Sequence, residues 1–358
     1  MLETFRLAKF RFTVCAKEHI RFPTFKGSAF RGGFGYAFKR VVCVIKDKAC
    51  DVCLLKQKCI YSYIFETPPP EDTKMLRLYP KVPHPFVIEP PVTEKQSFEP
   101  GEEFSFHLIL IGQAIDYLPY FIYTFTELGK QGIGQGRGKY DLLQVKGIGF
   151  GDETVLIYNN KDQKLTNHYP IIRAGQLNSQ NFASLKEQRI EIGGIASQYQ
   201  KTSSSVSPPC EGGDKGEVIK SDTIPSNSDN KITLSLPTPL RLRFDGHITD
   251  KIEFHILIRN LLRRISSLSY FHCNEKLAID FKGLIEKARA VKLTKSDTHW
   301  FDWKRYSTRQ EEWMSLGGVT GTVSYEGDLA KFMLFLRLGE YVHVGKGTSF
   351  GLGKYEIL

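Results

Sequence analysis

Two glycine-rich loops ending in the same tripeptide constrain this chain more than any other feature. The last twenty residues, Gly339-Glu-Tyr-Val-His-Val-Gly-Lys-Gly-Thr-Ser-Phe-Gly-Leu-Gly-Lys-Tyr-Glu-Ile-Leu358, gather glycines, two lysines and a histidine into a loop that closes on a short strand. A degenerate copy lies upstream, where Gly132-Ile-Gly-Gln-Gly-Arg-Gly-Lys-Tyr140 matches Gly347-Thr-Ser-Phe-Gly-Leu-Gly-Lys-Tyr355 at its outer landmarks. Each copy is expected to follow an amphipathic helix that stops at Leu-Gly, at Leu128-Gly129 and Leu338-Gly339. The chain therefore reads as a duplicated module, each half closed by a glycine loop. Glycine permits positive φ and close approach of the backbone. Loop N–H groups flanked by lysine suit the oxygens of a phosphodiester.

Composition limits the partners. The 358 residues are enough for two domains, 41% of them are apolar, and the formal charge of +10 favours a polyanion such as nucleic acid. No apolar run is long enough to span a membrane and no signal-peptide pattern opens the chain, so a soluble, cytoplasmic protein without a membrane partner is expected.

Four of the seven cysteines crowd into Cys43-x6-Cys50-x2-Cys53-x5-Cys59. In a reducing compartment such spacing points to metal. Four thiolates suit structural zinc, with an iron–sulfur cluster as the alternative and unmetallated thiols as the plainer reading. Four protein ligands would saturate the ion. Clustered carboxylates of the kind two-metal phosphoryl chemistry needs are also missing from the sequence, so no catalytic metal is expected.

Along the chain, residues 5–14 alternate in part as a half-buried strand, and Phe30, Phe34, Ala37, Phe38 and Val41 keep helical spacing through a glycine-heavy segment. Residues 66–100 are proline-rich and read as an irregular surface excursion. A strand over 104–110, a helix carrying Leu118, Phe121, Ile122, Phe125 and Leu128 to a stop at Gly129, the first loop and a strand from Tyr140 follow. Residues 198–230 lack apolar periodicity and read as a linker. A long strand over 232–244 comes next, then a helix capped by Thr249 or Asp250 that turns Phe254, Leu257, Ile258, Leu261, Leu262, Ile265 and Leu268 inward. Arg259, Arg263 and Arg264 fall mostly on its other face. A hairpin signal at 317–327, a helix over 328–338 and the final loop and strand complete the chain. The expected fold is α+β: two tandem ferredoxin-like (RRM-like) domains with antiparallel sheets, at 1–150 and 232–358, joined by a connecting segment at 151–231. The Cys-rich metal knot at 43–66 is inserted in the first domain.

With these residues in place, the chain resembles the repeat-associated mysterious protein superfamily of CRISPR systems, and within it the endoribonucleases that process precursor CRISPR RNA. The C-terminal His343-Val-Gly-Lys-Gly-Thr-Ser-Phe-Gly-Leu-Gly-Lys-Tyr355 carries the resemblance. The Cys-rich segment followed by Tyr61 and Phe65, the Arg263-Arg264 helix, and Trp303-x-Arg305-Tyr306-Ser307-x-Arg309-Gln310 support it. The resemblance implies metal-independent cleavage of CRISPR repeat RNA, in which a ribose 2′-hydroxyl attacks the adjacent phosphodiester. It also implies a first-domain helix histidine, and residues 25–42 contain none.

The catalytic candidates are therefore His343, Lys346 and His272. His343 is expected at the mouth of the loop as acid or base, or as a loop residue held by hydrogen bonds. His272 is expected just past the arginine helix, or as a structural helix-end residue. RNA-binding candidates are Gly345, Gly347, Thr348, Ser349, Gly351, Gly353 and Lys354 of the loop, Arg305 and Arg309 beside aromatic residues, and Arg31 and Arg137. The rival reading is a non-catalytic RNA-binding subunit of a CRISPR effector complex.

Overall fold

The computed structural model describes residues 1–46, 49–69, 73, 82–177, 230–307 and 312–358, without the side chains of 304–307 and 312–315. In the first half the principal elements are β1 (Arg6–Ala16), α1 (Gly27–Val42), β2 (Phe86–Glu89), β3 (Glu103–Ile111), α2 (Leu118–Gln131), β4 (Tyr140–Ile148), β5 (Thr154–Asn159) and β6 (Lys164–Leu165). In the second half they are β7 (Lys231–Leu240), α3 (Phe254–His272), α4 (Phe281–Arg289), β8 (Lys292–Phe301), β9 (Gly318–Glu326), α5 (Met333–Val342) and β10 (Glu356–Ile357).

Each half builds an antiparallel sheet. The first runs β2-β3-β1-β4-β5-β6 and the second β8-β9-β7-β10. In both, the opening strand of the half is flanked by the strand before the second helix of the motif and by the strand after the glycine loop. Register follows the apolar alternation: Phe10 lies opposite Leu108 and Phe12 opposite Phe106. Shifting that register by one residue would turn the phenylalanines to the other face.

The first sheet is buried on both faces. On one, Phe10, Phe12, Phe106 and Leu108 pack against Phe30, Phe34 and Phe38 of α1 and Phe121 and Phe125 of α2. Phe34 lies within 5.0 Å (ring centroids) of Phe121 and 4.7 Å of Phe125, both stacked. Each such ring contributes about 1.5–3 kcal/mol by leaving water. On the other face Leu7, Val87, Ile109 and Ile111 join a core that also holds Leu257, Leu261 and Ile265 of α3 and Phe335 and Leu338 of α5. The two halves therefore share one apolar core.

The structure departs from the sequence reading in several places. Within the proline-rich stretch, Phe86–Glu89 is a fully buried edge strand, β2, not surface excursion. Prolines at 83, 85, 90 and 91 mask so short a run. The strand expected over 232–244 breaks at Arg241, because Pro237 and Pro239 cannot donate to the ladder; Leu242–Phe244 pairs instead with His247–Thr249. The α3 helix starts at Phe254 with Glu253 as its cap residue, later than a Thr249 or Asp250 cap predicts. Gly129 is not a helix stop. It lies inside α2, which ends where Gly132 takes φ 86°, and Gly339 likewise lies inside α5, which runs to Val342. Arg264 is buried, unlike Arg259 and Arg263. Strand β8 is almost wholly exposed and too polar to show periodicity. The expected linker lies outside the described residues except at Asn230.

Among the described residues no helix is long and apolar enough to cross a membrane. Cys43, Cys50, Cys53 and Cys59 are free and half-buried. The Cys43 thiol turns to the Ile45 carbonyl at 3.2 Å. No group of three or more His, Cys, Asp or Glu is placed to hold a metal among the described residues, so this geometry does not gather the four thiols into a ligand set.

Candidate nucleic-acid interface between the two halves

The C-terminal loop is wedged between the halves. A short 3-10 turn, Thr348–Phe350, sits between Gly347 and Gly351, both at positive φ. Two glycines show why the segment is so rich in them. A Cβ on Gly353 would collide with the Val344 carbonyl, and one on Gly351 would lie 2.7 Å from the Ile88 carbonyl and 2.6 Å from Pro90 Cδ. The loop thus packs backbone to backbone, partly on itself and partly on the first half. Gly27, which opens α1, makes the reciprocal approach, since a Cβ there would meet the Phe350 carbonyl.

Over this loop opens a cavity of about 370 Å³. The second half supplies Arg243, Asn260, Arg263, Arg264 and Ser267 with the loop residues 345–350, and the first half supplies Val82, Pro83 and His84. No carboxylate is among these residues. The Arg31 guanidinium lies over the rings of Phe65 at 4.8 Å and of the cavity-lining Phe350 at 5.1 Å, a cation–π clamp that ties α1 to the loop.

Beneath the loop lies a buried charge network. His343 is fully buried; Nε2 contacts Glu89 Oε1 at 3.0 Å and Nδ1 donates to the Leu352 carbonyl at 3.1 Å. Glu89 also meets Lys9 at 3.3 Å, Lys354 at 3.6 Å and His107 at 3.6 Å. Burial alone would raise the Glu89 pKa, but Lys9, His343 and Lys354 outweigh it and hold the carboxyl well below the usual carboxylate range. Burial lowers the His343 pKa, and the Glu89 and Leu352 acceptors restrain the fall. Desolvation pushes His107 down to about 4.

A second buried histidine joins the halves. His272 Nε2 donates to the Pro83 carbonyl at 2.9 Å, which leaves Nδ1 to accept from the Tyr63 hydroxyl at 3.1 Å. Burial pushes its pKa down to about 4, so the neutral ring is the resting form.

A family model of the CRISPR-associated endoribonuclease Cas6 matches residues 234–355. The second half of the chain is thus similar to the Cas6 family. A separate model, described as an N-terminal domain, matches residues 5–170. An uncharacterized protein of Archaeoglobus fulgidus is 29% identical over 131 residues, and the match spans 37% of this chain and 43% of that protein. The chain also resembles the product complex of a Thermus thermophilus Cas6, with a TM-score of 0.54 at 12% identity over 98% of this chain and 100% of the other. A partial Cas6-RT-Cas1–Cas2 complex gives a TM-score of 0.54 at 11% identity, covering 99% of this chain and 46% of that chain. At these identities the likeness is one of fold.

Against this Cas6 background the sequence candidates separate. His343 is not at the loop mouth but sealed beneath it, and His272 is a buried staple; neither is open to a ligand in this structure. Lys354 points into the Glu89 network and also pairs with Glu356 at 3.2 Å. Gly351 and Gly353 serve internal packing. Lys346 is exposed and lines the cavity with Gly345, Gly347, Thr348 and Ser349, the last two mostly buried in its wall. Arg31 is not among the residues that line the cavity but stacks on Phe350, which is. Arg137 projects from the tip of the first loop, outside the cavity. Arg305 falls in the strand Lys304–Ser307, whose side chains lie outside the description, and Arg309 lies outside the described residues.

Sequence reasoning missed His84, Arg243 and Arg264. His84 had no local pattern, because it sits among prolines just ahead of β2. Its Nε2 donates to the Phe65 carbonyl at 2.8 Å. Arg264 hid its inward orientation in a run of helix arginines.

Proposed function

We propose that this chain is a metal-independent endoribonuclease that cleaves CRISPR repeat RNA to release guide RNA. The observation that carries the proposal is the basic cavity between the halves, lined by no carboxylate among the described residues and walled by the glycine loop of the Cas6-matching segment. In this reading each half is a ferredoxin-like unit, which their common strand order supports. The boundaries at 1–150 and 232–358 belong to the same proposal.

The chemistry follows from the ligand. A 2′-hydroxyl needs a base, the leaving 5′-oxygen an acid, and the phosphorane a cation. His84 is the imidazole that lines the cavity, and we assign it the proton-transfer role first expected of His343. Lys346, exposed on the loop, and Arg243 and Arg263 are assigned to the phosphate charge. His343 and His272 act through position: one seats the loop on Glu89, the other staples α3 to Pro83 and Tyr63.

Labelled repeat RNA incubated with the purified protein in excess EDTA tests this reading. Cleavage is expected to persist, to stop when the cut-site ribose is 2′-deoxy, and to fall at least about a hundredfold in His84→Ala with binding retained. Tight binding without cleavage across repeat sequences would overturn the assignment in favour of a non-catalytic effector subunit. Because Cas6 occurs in a complex with RT-Cas1–Cas2, association with further CRISPR proteins is part of the proposal.

Structural zinc at Cys43, Cys50, Cys53 and Cys59 is kept as a separate proposal. Its support is that the Cys50 thiol, pushed up mainly by burial, lies within electrostatic reach of Cys43 and Cys59. Elemental analysis giving about one zinc per chain would support it, and a metal-free folded protein would refute it.

A further inference from the structure

Arg264 is the least expected side chain in the cavity wall. It is only 7% exposed and lines the same cavity as Arg243, Arg263 and Lys346. Its Nε donates to the Val342 carbonyl at 2.7 Å, which pins the guanidinium where α5 ends. Its Nη2 is buried and has no hydrogen-bond partner among the described residues. A buried charged donor left without an acceptor is strongly disfavoured, and native proteins retain one chiefly where a ligand or water completes it. Burial pushes the guanidinium pKa down to about 9, the direction that a bound anion would reverse.

The surroundings select the anion. Among the described residues three further cations and no carboxylate line the cavity, and Ser349, Asn260 and Ser267 add polar groups. A guanidinium matches a phosphate geometrically, with parallel N–H donors to two oxygens. The volume sits at the low end of small-ligand sites, suited to one phosphate with its attached sugar and not to a duplex. We infer that the cavity is a phosphate-anchoring subsite in which Arg264 clamps one phosphate group of the bound RNA. The inference rests on the RNA-processing reading only for the source of that phosphate.

Arg264 is a binding residue in this scheme, so its loss should register in affinity and salt dependence before any loss of bond cleavage at saturating RNA. Two readouts on the full-length protein test it. In the first, inorganic phosphate is titrated into wild type and Arg264→Gln while thermal unfolding is followed. Phosphate should raise the melting temperature of wild type and not that of the variant. In the second, a fluorescent single-stranded RNA is titrated at several salt concentrations. Arg264→Gln should weaken binding about tenfold or more and flatten the plot of log affinity against log salt by about 0.7, one phosphate of single-stranded RNA. Arg259→Ala, on the same helix but outside the cavity, should change neither result.

Should Arg264→Gln fail to fold, Arg264→Lys keeps the charge but cannot bond Val342 and hold a phosphate bidentately. It should still lose most of the phosphate-induced stabilisation. A folded variant of either kind with wild-type phosphate response and wild-type salt slope overturns the subsite. RNA cleavage by wild type with that outcome would leave the Cas6 activity standing without the subsite. Phosphate stabilisation that depends on Arg264, without any RNA cleavage, would keep the subsite and remove the nuclease reading.

Discussion

The Nε2 atom of His343 meets the Glu89 carboxylate at 3.0 Å across the boundary between the halves, with both side chains buried. The contact holds His343 at φ 60° and ψ 172°, backbone that only glycine occupies readily. Gly132 takes nearly the same conformation, φ 86° and ψ 155°, at the end of α2. The second half thus keeps a histidine where the first has glycine, at a local cost of about 1–3 kcal/mol, because the imidazole ties the loop to Glu89.

That cost makes a specific order of variants. His343→Ala loses both hydrogen bonds and retains the strain, whereas His343→Gly loses the bonds but relieves the backbone. His343→Gly should therefore be more stable than His343→Ala by about 1 kcal/mol, the reverse of the order in a helix interior. Equal or inverted urea midpoints would refute the strain argument.

Glu89 predicts an acid limb. Glu89→Ala leaves Lys9, Lys354 and His343 without their shared carboxylate and should cost about 3–5 kcal/mol. Because the folded carboxyl titrates well below its unfolded value, its contribution is complete above the ordinary carboxylate pKa. It is lost as pH falls through the folded pKa. Unfolding of wild type and Glu89→Gln followed from pH 6 down to pH 2 should converge at the acid end; parallel curves would contradict the network.

His272 predicts a second, milder window. Its pKa is pushed from 6.5 to about 4, so the unfolded state binds the proton first and stability falls as pH drops through that interval. The shift corresponds to about 3 kcal/mol, and His107 carries a similar shift. In His272→Gln the decline in urea midpoint between pH 7 and pH 4.5 should be visibly shallower than in wild type. An unchanged decline would mean that burial does not hold the His272 ring neutral.

The fold was legible where burial imposes a period: the phenylalanines of β1, β3, α1 and α2, and the apolar stripe of α3, stand where their spacing predicts. It was illegible where short or polar strands finish a sheet, as in Phe86–Glu89 between prolines and Lys292–Phe301 with its exposed lysines. The loop itself was legible, but the role of its residues was not. Glycines, His343 and Lys354 looked like ligand contacts because sequence places them beside Lys346. Tertiary packing instead puts them against Glu89, Ile88 and Val344. His84 could not be found, since the cavity joins it to residues far away along the chain.

The duplication has an internal signature that can be tested in both halves. Tyr140 and Tyr355, each the last residue of a Gly-Lys-Tyr sequence, donate their hydroxyls to the Phe125 carbonyl at 2.9 Å and the Leu336 carbonyl at 2.5 Å. Each ring lies where a Cβ on the helix glycine, Gly129 or Gly339, would strike the tyrosine residue. Tyr140→Phe and Tyr355→Phe should each cost about 1–3 kcal/mol by stranding a buried carbonyl. Gly339→Ala should cost more than Tyr355→Phe, because it displaces the whole ring. If calorimetry found Gly339→Ala neutral, the close approach could not be what fixes the glycine.

Lys346 and Lys354 differ by only a few positions in the same loop and should separate binding from stability. Lys346 is exposed at the cavity, so Lys346→Ala should leave the melting temperature near wild type while weakening single-stranded RNA binding and lowering the salt slope by about 0.7. Lys354 has a side chain 15% exposed, and burial works against its charge while Glu89 and Glu356 raise its pKa above the ordinary lysine value. Lys354→Ala removes one of the cations that hold Glu89 ionised, so it should lower the melting temperature and make the loss of stability in acid shallower, because a smaller depression of the Glu89 pKa leaves less to lose. Its salt slope should match wild type in the fraction that remains folded. The opposite pattern, with Lys354→Ala changing the salt slope and Lys346→Ala changing only stability, would mean that the loop turns its other face to the RNA.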